Sequence, residues 1–399
     1  MNQTPKANRP HIALYGNRNA GKSSLLNAII GQDISLVSSV KGTTTDPVSK
    51  AMELLPLGPV VFIDTAGLDD DGELGKLRVK RSKKILQRTD FAIYVIDPLD
   101  FDKNALSKSL LEFKRFHIPH LLVFNKLDTL DQHTEANLKS EYPEAFFVSA
   151  EKNIGILDLK DALIDRIRAE EDEPPLIGDL IPYGGTVVLV VPIDSEAPKG
   201  RIILPQVQVI RDCLDHGIKS YVVRDTELED ALKDLKSVDL VITDSQAFHR
   251  VDKIVPSDIP LTSFSIVLAR NKGDLSSLVA GARAFNSLKP HSKILISESC
   301  THNHSHEDIG RIKIPRGLNK YFGQEFDYTF RMGHDFPEDV SEYDLIIHCA
   351  SCMLNAKTMK TRIQMCEEQG VPITNYGVTL AYLTGILDRS LDIFNDLSK

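Results

Sequence analysis

The stretch HIALYGNRNAGKSS, residues 11–24, decides the fold of the first part of the chain. A short, mostly apolar run leads into the pattern G-x-x-x-x-G-K-S, from Gly16 to Ser23, and the residues that follow have a helical pattern. A strand, a glycine-bounded loop and a helix in this order are typical of a P-loop, whose backbone N–H groups face phosphate oxygens. We expect Lys22 to contact the β- and γ-phosphates and Ser23 to bind Mg2+.

Two later motifs predict that the bound base is guanine. Asp128, in the run NKLD, can accept hydrogen bonds from N1–H and the exocyclic amine of guanine, whereas adenine would leave this carboxylate unpaired. Ser149 and Ala150 end another apolar strand and place backbone donors near the guanine oxygen. The full set of expected nucleotide-binding residues is Gly16, Asn19, Gly21, Lys22, Ser23, Ser24, Asn125, Lys126, Asp128, Ser149 and Ala150.

The run DTAG, from Asp64 to Gly67, predicts the hydrolytic part of the site. It follows the apolar run VVFI, which places the Asp64 carboxylate at a strand tip near the metal, while Gly67 lets the backbone approach the γ-phosphate. Leu68 stands where Ras-like enzymes carry the glutamine that orients water. We therefore expect slow hydrolysis of GTP to GDP and phosphate.

The whole chain is expected to be α/β, with three domains. Short apolar strands alternate with helical stretches up to about residue 170, which is typical of a doubly wound sheet. An acidic segment rich in proline and glycine then leads to two smaller α/β blocks. The predicted bounds are 1–172 for the P-loop GTPase domain, 180–268 for the second domain and 270–399 for the third.

Composition restricts the class of protein. Hydrophobic residues make up 42% of the 399 residues and charged residues 26%, as in globular proteins. The net charge of -9 argues against sequence-independent nucleic-acid binding. We find no secretory signal and no apolar run of membrane-spanning length, so we expect a cytoplasmic protein without a membrane partner.

Cysteine and histidine residues cluster in the third block. The run CTHNHSH starts at Cys300 and the run HCASC at His348, each directly after an apolar strand. Because the carboxyl ends of strands in an open α/β sheet form a crevice, these two loops could meet there and bind a metal. Three cysteines and a histidine suit either structural zinc or an iron-sulfur cluster.

Residues 11 to about 170 resemble the GTPases of the TrmE and Era type. In the run GTTTD, which looks like the first switch of that group, Thr44 would be a second Mg2+ ligand and thus belongs with Lys22, Asp64 and Gly67 among the expected catalytic residues. The resemblance also implies that Asn19 helps to hold a potassium ion that stimulates hydrolysis.

The C-x-H and H-C-x-x-C runs behind a GTPase domain resemble the HydF family of FeFe-hydrogenase maturation GTPases. The resemblance implies a 4Fe-4S cluster on Cys300, Cys349 and Cys352, with one iron position free to carry the di-iron precursor of the hydrogenase active site. It also implies that the second domain forms a homodimer, and that the partners are apo-FeFe-hydrogenase and the radical-SAM maturases.

The fourth cluster ligand stays open at this point. His302 and His348 match the family pattern, and His304, His306 and Glu298 are candidates because they lie nearby in the sequence. An alternative function is a TrmE- or Era-like GTPase in tRNA modification or ribosome assembly, with a structural zinc site. Cys213 and Cys366 stand alone on helical stretches and are expected to be packed or half-exposed thiols.

Overall fold

The computed structural model describes residues 8–31, 48–65, 84–169, 174–193, 202–299, 308–333, 335–351 and 354–394. The chain forms two compact units, Met1–Asp172 and Glu173–Lys399. The first unit coincides with the predicted GTPase domain. Within the described residues, no helix has both the length and the apolar composition needed to cross a bilayer.

The first unit contains a sheet of six strands in the order β2-β3-β1-β4-β5-β6. All neighbours are parallel except β2 and β3, which are antiparallel. The strands are β1 (His11–Tyr15), β2 (Val48–Leu54), β3 (Gly58–Asp64), β4 (Phe91–Ile96), β5 (His120–Phe124) and β6 (Phe146–Phe147). The helices are α1 (Lys22–Ile30), α2 (Lys103–Arg115), α3 (Gln132–Glu141) and α4 (Ile156–Ala169).

The central strands of this sheet are buried on both faces. Ile12 and Leu14 of β1 belong to one apolar core, and Ala13 and Tyr15 to the core on the other face. Because both faces are covered, these strands are almost continuously apolar and not alternating. The predicted doubly wound α/β fold is confirmed.

The second unit contains two parallel sheets of four strands, in the orders β10-β9-β7-β8 and β12-β11-β13-β14. The first comprises β7 (Thr186–Val190), β8 (Lys219–Val223), β9 (Leu240–Thr243) and β10 (Leu261–Ser263). The second comprises β11 (Lys293–Glu298), β12 (Asp327–Met332), β13 (Leu345–His348) and β14 (Ile373–Asn375). The helices are α5 (Leu204–Asp215), α6 (Leu228–Asp234), α7 (Phe248–Ile254), α8 (Phe264–Lys272), α9 (Leu275–Arg283), α10 (Ile314–Phe322), α11 (Ala356–Glu368), α12 (Tyr376–Leu383) and α13 (Leu387–Leu391).

These two sheets share one apolar core, which includes Leu189 of β7 and Ile296 of β11. The predicted boundary at residues 268–270 falls inside helix α8, which ends only at Gly273. The run FSIVLA contains no helix-breaking residue before that glycine, so the helix continues past the predicted boundary. The two smaller α/β blocks therefore pack as one compact unit.

Candidate functional site

The P-loop lies between β1 and α1, as its sequence predicts. A Cβ atom at Gly16 would lie 2.0 Å from the carbonyl oxygen of Val95, so only glycine fits between the loop and β4. The Lys22 ammonium donates to the carbonyl oxygens of Gly16 and Asn17 at 2.7 and 2.8 Å. These bonds hold the lysine cation across the loop, where phosphate oxygens are expected.

Ser23, an expected Mg2+ ligand, lies beside Asp64, whose carboxylate was expected near the metal. The Ser23 hydroxyl donates to Asp64 Oδ2 at 2.8 Å, and Asp64 Oδ1 is buried without a hydrogen-bond partner. Burial raises the pKa of Asp64, and the Ser23 hydroxyl and the Lys22 cation oppose this shift. A hydroxyl and an unsatisfied carboxylate oxygen are the hard ligands that Mg2+ prefers, so these residues fit the ion.

Asn125 connects three parts of the nucleotide site. Its amide nitrogen donates to the carbonyl oxygen of Ala20 in the P-loop at 3.1 Å, and its amide oxygen accepts from the backbone N–H of Ala150 at 3.0 Å. The side chain is 2% exposed. A Cβ atom at Gly21 would lie 2.3 Å from the Asn125 amide nitrogen, so this contact also requires glycine.

Asp128 is held as an ionised hydrogen-bond acceptor. The Ser149 hydroxyl donates to Asp128 Oδ1 at 2.5 Å, and the Lys152 ammonium lies 3.6 Å from Oδ2. The Ser149 hydrogen bond is the largest cause that lowers the pKa of Asp128. The neighbouring Lys126 donates to Asp97 Oδ2 at 2.5 Å, a contact that the sequence did not predict. An ionised carboxylate at this position can accept both N–H groups of guanine.

The remaining nucleotide-site predictions fall on exposed or undescribed positions. Asn19 and Ser24 are exposed, and Asn19 has a left-handed backbone with φ of 62°. Thr44 and Gly67 lie outside the described residues. Their proposed contacts with Mg2+ and the γ-phosphate therefore stay predictions.

The strands before the two cysteine-containing runs are neighbours in the second unit. β11 pairs with β13 in parallel, with Ser297 beside His348, and the Cys349 N–H donates to the carbonyl oxygen of Ser297 at 2.9 Å. Ser299, which directly precedes Cys300, donates its N–H to Cys349 Sγ at 3.0 Å, and its hydroxyl oxygen lies 2.8 Å from the same sulfur. The Cys349 side chain thus contacts the residue that directly precedes the other run.

His348 is buried, and both of its ring nitrogens have partners within the protein. Arg362 Nη1 lies 2.5 Å from His348 Nε2, and His348 Nδ1 lies 2.9 Å from the carbonyl oxygen of Cys349. Burial and the Arg362 cation lower the pKa of His348 to about 3, so the ring is neutral, with Nδ1–H donating and Nε2 accepting. This geometry argues against His348 as a metal ligand, because the lone pair of Nε2 faces a guanidinium.

Glu298 is the other described candidate for a fourth ligand. Its side chain is 3% exposed, and its oxygens lie 3.3 Å from the Tyr376 hydroxyl and 3.4 Å from Arg311 Nε. A Cβ atom at Gly310 would lie 2.7 Å from Glu298 Oε1, so this glycine leaves room beside the carboxylate. Its hydrogen bonds are long, and Glu298 is therefore less firmly held by protein partners than His348 is.

Five other residues were expected at or near the cluster. Cys300, Cys352, His302, His304 and His306 lie outside the described residues. Within the part of the chain that is described, no three His, Cys, Asp or Glu side chains form a group suited to a metal. Cys213 and Cys366 are buried on helices α5 and α11 as predicted, and burial raises their pKa values to about 11 and about 12.

Comparison with protein families assigns all three blocks of the chain. Residues 176–273 match the profile described as "Hydrogen maturase F dimerization domain", and residues 276–393 match "Hydrogen maturase F tetramerization domain". The chain belongs to the hydrogen maturase F family. Residues 11–126 match the profile described as "50S ribosome-binding GTPase", which confirms the predicted GTPase domain. The two profiles that are specific to hydrogen maturase F carry names that refer to oligomerisation.

Two curated relatives match about two fifths of the chain. The tRNA modification GTPase MnmE of Ralstonia nicotianae is 31% identical over 163 residues, 39% of this chain and 34% of that protein. GTPase Der of Kosmotoga olearia is 37% identical over 168 residues, 38% of this chain and 37% of that protein. The chain thus spans about a third of the length of these relatives.

A solved structure of Era from Aquifex aeolicus, bound to GDP and aluminium fluoride, is 19% identical. The match covers 54% of this chain and 93% of that chain, with a TM-score of 0.34.

Proposed function

We propose that this chain is a GTP-hydrolysing scaffold that binds a 4Fe-4S cluster through Cys300, Cys349 and Cys352. It carries the di-iron precursor of the FeFe-hydrogenase active site and delivers it to the apo-hydrogenase. The observation that supports this function best is the contact between Cys349 Sγ and Ser299, which directly precedes Cys300. We propose the hydrogenase as the recipient because the chain belongs to the hydrogen maturase F family.

Cys349 is the described cysteine of the proposed cluster site: burial raises the pKa of its thiol, and the hydrogen bonds from Ser299 oppose this shift. Cys349 is 9% exposed, and its sulfur accepts the N–H of Ser299. Backbone N–H groups that point at sulfur stabilise its negative charge, as they do in iron-sulfur proteins. A cluster held by three cysteines keeps one iron position that can exchange ligands.

Glu298 is our preferred candidate for that exchangeable position among the described residues. It is the last residue of β11, two residues before Cys300, and its carboxylate has long hydrogen bonds to Tyr376 and Arg311. A weakly held carboxylate can leave when the precursor binds. His348 is disfavoured because Arg362 occupies its Nε2.

GTP hydrolysis is proposed to depend on Lys22, Ser23, Asp64, Thr44 and Gly67. Lys22 contacts the phosphates, and Ser23, Asp64 and Thr44 hold Mg2+, which neutralises phosphate charge. Asn19 is proposed to help bind potassium, and hydrolysis is slow because Leu68 replaces the water-orienting glutamine. Release of the switch segments after hydrolysis changes the affinity for the radical-SAM maturases or the hydrogenase.

The second domain is proposed to join two copies through the edge of its sheet. β8 is the outer strand, and its Tyr221 and Val222 side chains are 44% and 46% exposed. Leu214 on the neighbouring helix α5 is 69% exposed. An exposed edge strand with apolar side chains is suited to pairing with another strand. We place the protein in the cytoplasm, where free thiols stay reduced.

Iron and sulfide analysis of full-length protein purified without oxygen, read together with its visible spectrum, tests the cluster. Cys349→Ala should abolish the cluster, whereas Cys366→Ala, which removes another buried thiol in the same unit, should retain it. Bound zinc without sulfide would support a structural zinc site. Equal cluster content in both variants would contradict the assignment of Cys349.

The role of GTP needs a separate experiment. Lys22→Ala should abolish GTP hydrolysis and impair hydrogenase maturation, while iron and sulfide content stay at the wild-type level. If maturation proceeds normally without hydrolysis, the proposed control of partner binding by GTP is wrong. Filter binding with RNA at moderate salt tests the alternative function in tRNA modification or ribosome assembly, which predicts retention of RNA.

A further inference from the structure

Arg362 is a buried cation at the end of the sheet that carries the cluster residues. Its side chain lies on helix α11 and is 1% exposed. Its Nη1 lies 2.5 Å from His348 Nε2 and 3.4 Å from the Ser297 hydroxyl, and its Nη2 donates to the carbonyl oxygen of Gly333 at 2.8 Å. These contacts reach the carboxyl ends of three neighbouring strands, β11, β12 and β13.

Every described partner of this guanidinium is neutral. The Arg362 carbon Cζ lies 4.8 Å from the centre of the Phe336 ring, and Nε is buried without a hydrogen-bond partner. Among the described residues, no carboxylate forms an ion pair with it. Burial lowers the pKa of Arg362 to about 10, so it stays cationic at neutral pH. A buried charge is costly unless an opposite charge lies near it.

The proposed cluster would place negative charge close to Arg362, because charge on Cys349 raises the pKa of Arg362. Cys366, four residues along the same helix, is a protonated thiol at neutral pH, since burial raises its pKa to about 12. Ser297 lies three residues before Cys300, and His348 directly precedes Cys349. A cluster held by three thiolates is negative overall, and it becomes more negative when it is reduced.

We infer that Arg362 is the counter-cation of the cluster: its buried guanidinium stabilises the negative charge of the thiolate-bound centre and favours the reduced form. This inference rests on the proposed function. Arg362 acts as a positioning and electrostatic residue, because its hydrogen bonds go to His348, Ser297 and Gly333 and not to a cysteine sulfur. The cation also sets the orientation of His348 beside Cys349.

A second buried cation reaches the same loop from another helix. Lys272, the last residue of α8, is 5% exposed and donates to the carbonyl oxygens of Leu354 at 3.2 Å and Ser351 at 3.5 Å. These carbonyls flank the segment that contains Cys352. Lys272 thus adds a second positive charge beside Ser351 and Leu354.

The test uses full-length wild type, Arg362→Gln, Arg362→Met and Arg362→Lys, each loaded with iron and sulfide without oxygen. A redox titration followed by electron paramagnetic resonance gives the reduction potential. The neutral variants should favour the oxidised form about tenfold more than wild type, equal to about 59 mV for a one-electron couple. Arg362→Lys should restore most of the wild-type potential.

Arg389→Gln is the control for loss of an arginine elsewhere in the same unit. Arg389 binds Asp252 and the carbonyl oxygens of Val255 and Pro256, and its replacement should leave the potential unchanged. Apo-protein with Arg362→Gln or Arg362→Met should still fold, because the loss of the hydrogen bonds of Arg362 is offset by removal of a buried charge, which is costly to desolvate.

Three outcomes separate the possibilities. If wild type takes up no iron and sulfide, the proposed function fails, whatever Arg362 does. If wild type loads normally and the neutral variants keep its potential, the inference about Arg362 is wrong. If neither neutral variant folds as apo-protein while Arg389→Gln does, Arg362 is a structural residue and the inference is again wrong.

Discussion

Replacement of Gly21 by alanine should weaken guanine-nucleotide binding, because the added methyl group would displace the Asn125 side chain. Gly21 has a left-handed backbone with φ of 86°, and its added Cβ would lie 2.3 Å from the Asn125 amide nitrogen. Asn125 must therefore move and lose its bonds to Ala20 and Ala150. Nucleotide binding would have to restore both bonds, because they hold the P-loop and Ala150 in place. At about 1 kcal/mol for each hydrogen bond, this costs about 2 kcal/mol, or about 30-fold in affinity.

Gly31→Ala provides a matched control at the other end of helix α1. Gly31 is also left-handed, with φ of 70°, but its added Cβ would meet nothing within 4 Å. Both variants bear the same backbone strain of about 1–2 kcal/mol, so their difference isolates the contact with Asn125. Titration with a fluorescent GDP analogue measures the affinities, and urea unfolding checks that both variants fold. Equal affinities in the two variants would refute the reasoning.

Two further predictions concern the base site and the oligomer. GDP affinity should stay constant as the pH falls to about 5, because a lowered pKa keeps Asp128 ionised, and Ser149→Ala should move the loss of affinity to higher pH. Identical pH profiles in binding titrations would contradict this role of Ser149. Val222→Lys should shift sedimentation equilibrium towards monomer by placing a charge on edge strand β8, whereas Leu157→Lys, at a site 75% exposed, should not. An unchanged mass for Val222→Lys would exclude this edge as the interface.

Motifs of fixed spacing lie close together in the fold because each follows a strand of the same sheet. Ser23 meets Asp64, and Asn125 meets Ala150, as a parallel sheet requires of residues at the carboxyl ends of its strands. The sequence could not predict the hydrogen bond between Lys126 and Asp97, because nothing around Asp97 in the sequence indicates which residue it contacts.

Strands β2, β10 and β14 could not be predicted from the sequence, because they are short or lack a clear apolar pattern. β10 and β14 have three residues each, too few for any periodicity to be read. β2, with the sequence VSKAMEL, is an edge strand that carries polar residues among its apolar ones. The sequence also did not predict that the two sheets of the second unit share one core. It indicates which strands are apolar, but not which elements pack against them.

The direction of the His348 side chain shows why a ligand pattern alone misleads. Successive side chains of a strand point to opposite faces, so Ile346 and His348 share one face of β13. Ser297 lies beside His348 in the paired strand, and Arg362 reaches both. The sequence of helix α11 indicates this arrangement. Met359, Ile363 and Cys366 form a buried stripe on the helix, and Arg362 lies within that stripe. A charged residue in an apolar stripe predicts a buried polar partner, and here that partner is the histidine that the motif had offered as a metal ligand.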